Sequence, residues 1–271
     1  LASSLDPCTF EYDKLINGSG SGGDANSERH PCKNLKGNTN EERFSNTLGG
    51  QCTKEKISGS TNTCGACAPY RRLHLCNHNL ESISDYDSNA RHKLLAEVCM
   101  AAKYEGDLIK THYTPYQQTN KDSASQLCTV LARSFADIGD VIRGRDLFYG
   151  NTQEKDQRKK LDDKLKTIFG QIYEELIKKK AEAKDHYKGD ADKNYSKLRE
   201  DWWTANRQQV WKAMTCKADA SSAYFRPTCG DRNERGQSQA TKQCRCDGDQ
   251  VPTYLIMCRS FLRWFEEWAE D

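Results

Sequence analysis

The 271-residue chain carries 41 Lys and Arg against 39 Asp and Glu, a formal net charge of +2, and only 36% of its residues are hydrophobic. Near-neutrality excludes the strongly basic balance of a nucleic-acid-binding domain, and the lack of any run of about 18 apolar residues excludes a membrane-spanning helix in this stretch. Thirteen cysteines are too many for a reducing compartment and point to an oxidising, extracellular destination.

The opening LASSLDPCTF has neither the basic lead nor the apolar stretch of a signal peptide, so the chain reads as a piece of something longer. Residues 1–63 are rich in Gly, Ser, Asn and Thr, lack periodicity, and read as irregular chain tied down by Cys8, Cys32 and Cys52. The stretch TCGACAPYRRLHLCNHN at 63–79 then poses a choice. Its C-x-x-C, Cys64 and Cys67, suits a redox centre, and with Cys76, His74 and His78 it suits a zinc site. The redox reading lacks a preceding strand and a firm helix opening to lower a thiolate pKa. Zinc lacks a second C-x-x-C or H-x-x-x-H pair to complete four ligands. Disulfides account for the cysteines at once, so the stretch reads as scaffold.

From about residue 91 the pattern is helical, with Leu94, Leu95, Val98, Ala101 and Ala102 on one face and a polar loop expected through Pro115. A second helix is predicted to open with the capping-box spacing of Ser123 and Gln126 and to present Leu127, Leu131, Phe135, Ile138 and Ile142. Gly139 and Gly144 mark a close approach or an end to it. Asn151 and Glu154 offer another capping box before the stripe Leu161, Leu165, Ile168, Ile172 and Leu176, with KKKAEAKD as a solvated continuation. A helix over roughly 193–215 groups Leu198, Trp202, Ala205, Gln209 and Ala213, broadened by Trp203, Val210, Trp211 and Met214. Residues 216–252 return to loop composition, and a last helix is anchored by Phe261, Trp264, Phe265 and Trp268. No stretch alternates as a strand would. The chain reads as mostly α, an irregular disulfide-bound lobe followed by a helical bundle.

Catalytic patterns do not emerge: there is no hydrolase elbow, P-loop or dinucleotide fingerprint, and the six histidines are scattered. No enzyme and no cofactor are therefore expected. Basic clusters carry more information. Arg158, Lys159, Lys160, Lys178, Lys179, Lys180, Lys184 and Lys188 fall on one predicted helix, and Arg232, Arg235 and Lys242 on a loop. The plain reading is a solvated surface balanced by neighbouring carboxylates. The sharper one is attraction for sulfated polysaccharide or a sialylated cell surface.

Five blocks, CGACAPYRRLHLCNHNLE, LLAEVCMAAKYEG, LARSFADIGDVIRGRDLFYG, LREDWWTANRQQVWKAMTC and FLRWFEEWAED, occur in that order between residues 64 and 271. Together they resemble the Duffy-binding-like domains of the malaria-parasite erythrocyte membrane protein 1 family, and ARSFADIGD with RWFEEW resembles the alpha class. Residues 1–63 match more loosely, through cysteine spacing and HPCKN. The resemblance implies a mostly α, disulfide-bonded Duffy-binding-like fold. Its irregular, cysteine-rich first subdomain would span 1–122 and its helical second subdomain 123–271, with the family's third subdomain absent. Disulfides are assigned to Cys8, Cys32, Cys52, Cys64, Cys67, Cys76, Cys99, Cys128, Cys216, Cys229, Cys244 and Cys246, with connectivity left open. The implied role is adhesion from the surface of the infected red cell. Expected partners are erythrocyte or endothelial receptors, among them heparan-sulfate-like glycans, blood-group sugars or complement receptor, and also antibodies. Neither nucleic acid nor direct membrane insertion is expected. The competing reading is a structural spacer whose neighbouring domains bind. One departure stands at 255–260, where LIMCRS replaces the family's usual Phe-Asp-Tyr-Val-Pro-Gln. A one-base shift of reading frame relates the two strings, and it adds the thirteenth cysteine, Cys258.

Overall fold

Every residue from Cys128 to Ile142 is buried, so the helix LCTVLARSFADIGDVIR is enclosed on all sides and forms the centre of the molecule. The computed structural model describes residues 6–12, 29–33, 67–83, 89–119, 126–148, 150, 152–190, 194–219, 222, 242–246, 251 and 260–270. In chain order the described helices are α1 (Tyr70–Leu73), α2 (His78–Glu81), α3 (Ala90–Thr119), α4 (Leu127–Arg143), α5 (Thr152–Lys179), α6 (Ala183–His186), α7 (Ser196–Met214) and α8 (Ser260–Glu270). The described β structure is confined to isolated bridges, with Lys242 paired antiparallel to Arg245 and bridge residues also at Ala68 and Phe148. The fold is mostly helical, as expected.

Helices α3, α4, α5 and α7 share one core, in which Phe135 packs between Trp203 and Trp211 at ring separations of 5.0 and 5.2 Å. The expected division at 122/123 falls among residues outside the described set, and the helices on its two sides contribute to this same core. Two glycines set how closely the layers approach. A Cβ on Gly106 of α3 would lie 1.9 Å from the Met214 carbonyl oxygen of α7, and one on Gly139 of α4 would lie 2.6 Å from the Trp203 ring. Gly106→Ala meets backbone and is expected to cost roughly 1–3 kcal/mol, more than Gly139→Ala, which meets a ring that can shift. Urea denaturation of both variants checks the order, and an unaffected Gly106→Ala would show that the α3–α7 contact is loose.

Several sequence expectations are corrected. The α3 helix does not stop before Pro115 but runs on to Thr119, with Pro115 inside it. Buried Tyr113 and half-buried Tyr116 keep these turns on the core, and the Thr111 and Thr114 hydroxyls bond back to the carbonyls of Asp107 and Lys110. α4 begins after Gln126, which makes no side-chain cap bond, while Ser123 and Asn151 of the predicted capping boxes lie outside the described residues. Gly144 ends α4 in the left-handed region at φ 71°. On α7, Ala205 is exposed and Asn206 is buried instead, its side-chain amide donating to the Trp202 carbonyl at 2.7 Å.

The anchor of α8 differs most. Trp264 is buried, but Phe265 is 68% exposed and Leu262 48% exposed, while Arg263 and Glu267 are buried. The side chains of Phe261 and Trp268 lie outside the described residues.

Disulfides join Cys8 to Cys216, Cys32 to Cys76 and Cys128 to Cys244. Cys67 and Cys246 are disulfide-bonded as well. Cys52, Cys64, Cys229 and Cys258 lie outside the described residues. Cys99, assigned above to a disulfide, is a buried free thiol, the one such cysteine among the described residues. It faces the core from α3 and packs as a small apolar group. Burial pushes its pKa up to about 12, opposed by a hydrogen bond with the Tyr12 side chain.

Candidate binding surface

Charged side chains divide into those consumed inside the fold and those left at its surface. The internal set centres on Arg71 of α1. Its guanidinium donates to both carboxylate oxygens of Glu267 at 2.9 Å, to Asp137 at 2.7 Å and to the Ser134 hydroxyl at 2.8 Å. Arg263 of α8 donates to the other Asp137 oxygen at 3.0 Å and also to Asp140, and the Trp264 indole N–H reaches Asp137 at 3.1 Å. The Ser134 hydroxyl in turn donates to Glu105 at 2.8 Å, and Glu105 accepts the Cys76 backbone N–H at 3.0 Å. Burial alone would raise the Asp137 pKa, but Arg71, Arg263 and Arg72 outweigh it and hold the carboxyl below its ordinary value. The blocks CAPYRRL, ARSFADIGD and RWFEEW thus meet in one buried ionic junction, a structural use for their charges.

Other cations are likewise committed. Arg199 pairs with Asp162 at 3.0 Å, and Arg72 and Arg158 converge on Asp146. Arg158 lies 4.7 Å from the Phe148 ring centroid, and burial followed by the neighbouring Arg72 pulls its pKa down to about 10. Arg158 is therefore a packing residue.

The remaining predicted cations are not on one helix face. Lys159 and Lys160 are exposed near the start of α5, whereas Lys178 and Lys179 occupy its last turn. Roughly 18–20 residues at 1.5 Å per residue separate the two groups by about 27–30 Å. α5 ends at Lys179, so Lys180 lies in the turn, Lys184 on α6 and Lys188 in the turn beyond. Lys178, Lys179, Lys180, Lys184 and Lys188 are all exposed, and none forms an ion pair with a described carboxylate. Lys242 is exposed beside Arg245, whose guanidinium bonds to Thr215 at 2.7 Å and to the Lys212 carbonyl at 3.0 Å. That end of α7 is some 28 Å from the end near Lys188. Arg232 and Arg235 lie outside the described residues.

Tertiary structure adds neighbours to the Lys178–Lys188 group. The Ala90 backbone N–H, opening α3, donates to Glu175 of α5 at 3.3 Å, which seats Arg91 and His92 against the end of α5. Lys197 of α7 donates to the His186 carbonyl at 2.8 Å and lies 5.3 Å from the Tyr187 ring centroid. Sequence periodicity holds no signal for this convergence, because α3, α5, α6 and α7 all supply it. Among the described residues no group of three or more His, Cys, Asp or Glu is arranged to hold a metal, and no described helix is long and apolar enough to cross a membrane.

The Duffy binding domain family model matches residues 65–263. Among solved structures, the chain is similar to the NTS-DBL1-alpha and CIDR-gamma double domain of PfEMP1 from the Plasmodium falciparum varO strain. The identity is 36% and the TM-score 0.75, over 97% of this chain and 35% of that one. The NTS-DBL1(alpha-1) domain of the same strain is 37% identical with a TM-score of 0.71, over 96% of this chain and 56% of that one. A DBLb domain of PfEMP1 bound to human ICAM-1 is 28% identical with a TM-score of 0.67, over 98% and 51%. This chain thus spans about a third to just over half the length of those relatives. No curated protein matches it.

Proposed function

The chain belongs to the Duffy binding domain family, and from that premise we propose that it is a non-enzymatic host-cell adhesion module of a variant surface protein on the infected erythrocyte. Its partners are receptors or acidic glycans on erythrocytes or endothelium, heparan sulfate among them, and the two subdomains over 1–122 and 123–271 form the scaffold. One observation carries this reading: five exposed lysines from Lys178 to Lys188 stand without described carboxylate partners, whereas Arg71, Arg158 and Arg199 are spent on carboxylates within the fold. A related DBLb domain bound to human ICAM-1 supports the use of this scaffold for receptor binding. The spacer alternative draws on the chain's covering only 35% and 56% of two relatives, which leaves room for binding elsewhere in a longer protein.

Binding of the folded chain to immobilised heparin and to intact erythrocytes over a salt series separates the two. A variant with Lys178, Lys179, Lys180 and Lys184 changed to Glu is expected to bind on the order of tenfold or more weaker, and parent binding is expected to fall as salt rises. Parent binding that is absent, or unchanged in the variant, favours the spacer.

A further inference from the structure

We infer that the Cys8–Cys216 disulfide is a thiol-exchange site, at which an incoming thiolate bonds to the Cys216 sulfur and expels Cys8 as a thiolate stabilised by Arg245. This role is independent of the adhesion reading.

Access separates this bridge from the other two described pairs. Cys8 and Cys216 are both half-buried, whereas Cys32, Cys76, Cys128 and Cys244 are each 1% exposed or less. Exchange requires a thiolate to reach a sulfur, so the buried bridges are shielded and this one is open to attack. It lies at the surface end of α7, joining the segment at 6–12 to Cys216 just past Met214.

Its two sulfurs are not equivalent. The Arg245 guanidinium lies 3.9 Å from the Cys8 sulfur, fixed there by its bonds to the Thr215 hydroxyl at 2.7 Å and the Lys212 carbonyl at 3.0 Å. A cation held beside one sulfur favours the thiolate there and makes Cys8 the better leaving group. Asp6 is the opposing charge nearby. Its carboxylate accepts the Cys8 backbone N–H at 3.0 Å and lies 3.8 Å from the Lys212 ammonium, so it is engaged within the fold. Cys216 instead follows the last turn of α7, where the carbonyl end of the helix disfavours negative charge. Departure of Cys8 is favoured over departure of Cys216, and attack falls on Cys216.

The co-reactant is a small thiol or a dithiol. In the first step its sulfur bonds to Cys216, the Cys8–Cys216 bond breaks, and the Cys8 thiolate takes a proton from solvent. A dithiol completes the reaction: its second thiolate attacks its own first sulfur and releases Cys216 as a thiol. The dithiol is thereby oxidised to a disulfide by two electrons and the protein pair is reduced. Cleavage stays local, because Tyr12 is buried in the core and Asp6 still faces Lys212.

The test treats the folded chain with limiting dithiothreitol, traps free thiols with N-ethylmaleimide at intervals and maps the peptides. Cys8 and Cys216 are expected to label together, on the order of tenfold or more faster than Cys32 with Cys76 or Cys128 with Cys244. Reduced glutathione followed by an acid quench should leave glutathione on Cys216 and a free thiol at Cys8. Arg245→Gln, once thermal melts show it to be folded, should slow reduction of this pair several-fold, and Arg245→Lys, which keeps the charge, should recover most of the rate. Reduction of either buried pair at an equal or higher rate overturns the exchange site. Cys99 labelling in step with Cys8 and Cys216 overturns it too, since the thiols would then be exposed by unfolding. Glutathione recovered on Cys8 overturns the direction of attack, and this readout needs no variant. An unchanged rate in Arg245→Gln overturns the part given to Arg245.

Discussion

Asp137→Ala is expected to destabilise the protein by about 3–5 kcal/mol, because it removes the carboxylate that two buried guanidinium groups share and leaves the junction one negative charge short, with only Glu267 on Arg71 and Asp140 on Arg263. Asp137 accepts from Arg71 at 2.7 Å, from Arg263 at 3.0 Å and from the Trp264 indole at 3.1 Å, and all four side chains are buried. α8 would suffer most, since it docks through Arg263, Trp264 and Glu267 while its Phe265 faces outward. Asp137→Asn keeps an oxygen acceptor and should cost less. A pH series adds a second signature. Arg71, Arg263 and Arg72 hold the Asp137 carboxyl below its ordinary value against the effect of burial. Its contribution is therefore complete above the unfolded pKa of about 4, and it is lost as pH falls through the still lower folded value. Asp137→Asn should lose that acid limb. Thermal and chemical denaturation measure both effects, and an Asp137→Ala variant within about 1 kcal/mol of the parent would show that the junction does not hold α8.

Removing the Cys128–Cys244 disulfide as the double alanine variant should have a comparable effect. The bridge closes a sequence separation of 116 residues, for which restriction of the unfolded chain is worth about 4–5 kcal/mol. It fastens the loop at 242–246 to the central helix, where the Cys244 carbonyl accepts the Trp211 indole N–H at 3.1 Å. The expected fall in melting temperature is roughly 8–15 °C. Peptide mapping of the parent under non-reducing conditions checks the pairing itself, and recovery of Cys128 linked to another cysteine would refute it. Cys99 should stay unreactive toward alkylating agents until the protein unfolds, because its buried thiol is held far from the thiolate form.

Much of the helical framework was legible beforehand. The stripes Leu94, Leu95, Val98 and Leu161, Leu165, Ile168 lie in the core, since a 3.6-residue period is a local property of sequence. Pro115 misled because local propensity was overruled by Tyr113 and Tyr116 packing on the core. The α8 anchor misled for a related reason. An aromatic-rich stretch reads as apolar, yet Arg263 and Glu267 are the residues taken inside, and only the presence of Asp137, Asp140 and Arg71 makes that tolerable. The lysine run looked like one face of one helix, but the helix ends at Lys179 and the chain turns before Lys184.

What the sequence determined by itself was the class of molecule. Composition, cysteine number and helical period can be read without tertiary structure, and they specify a disulfide-bonded, mostly α chain rich in lysine. Which charges are consumed and which are left for a partner was decided by tertiary structure alone. A buried guanidinium survives only where carboxylates converge on it, and those of Arg71 come from Asp137 and Glu267, 66 and 196 residues away. The surface that remains is set by the same long-range packing, which brings the start of α3 and the start of α7 to the end of α5.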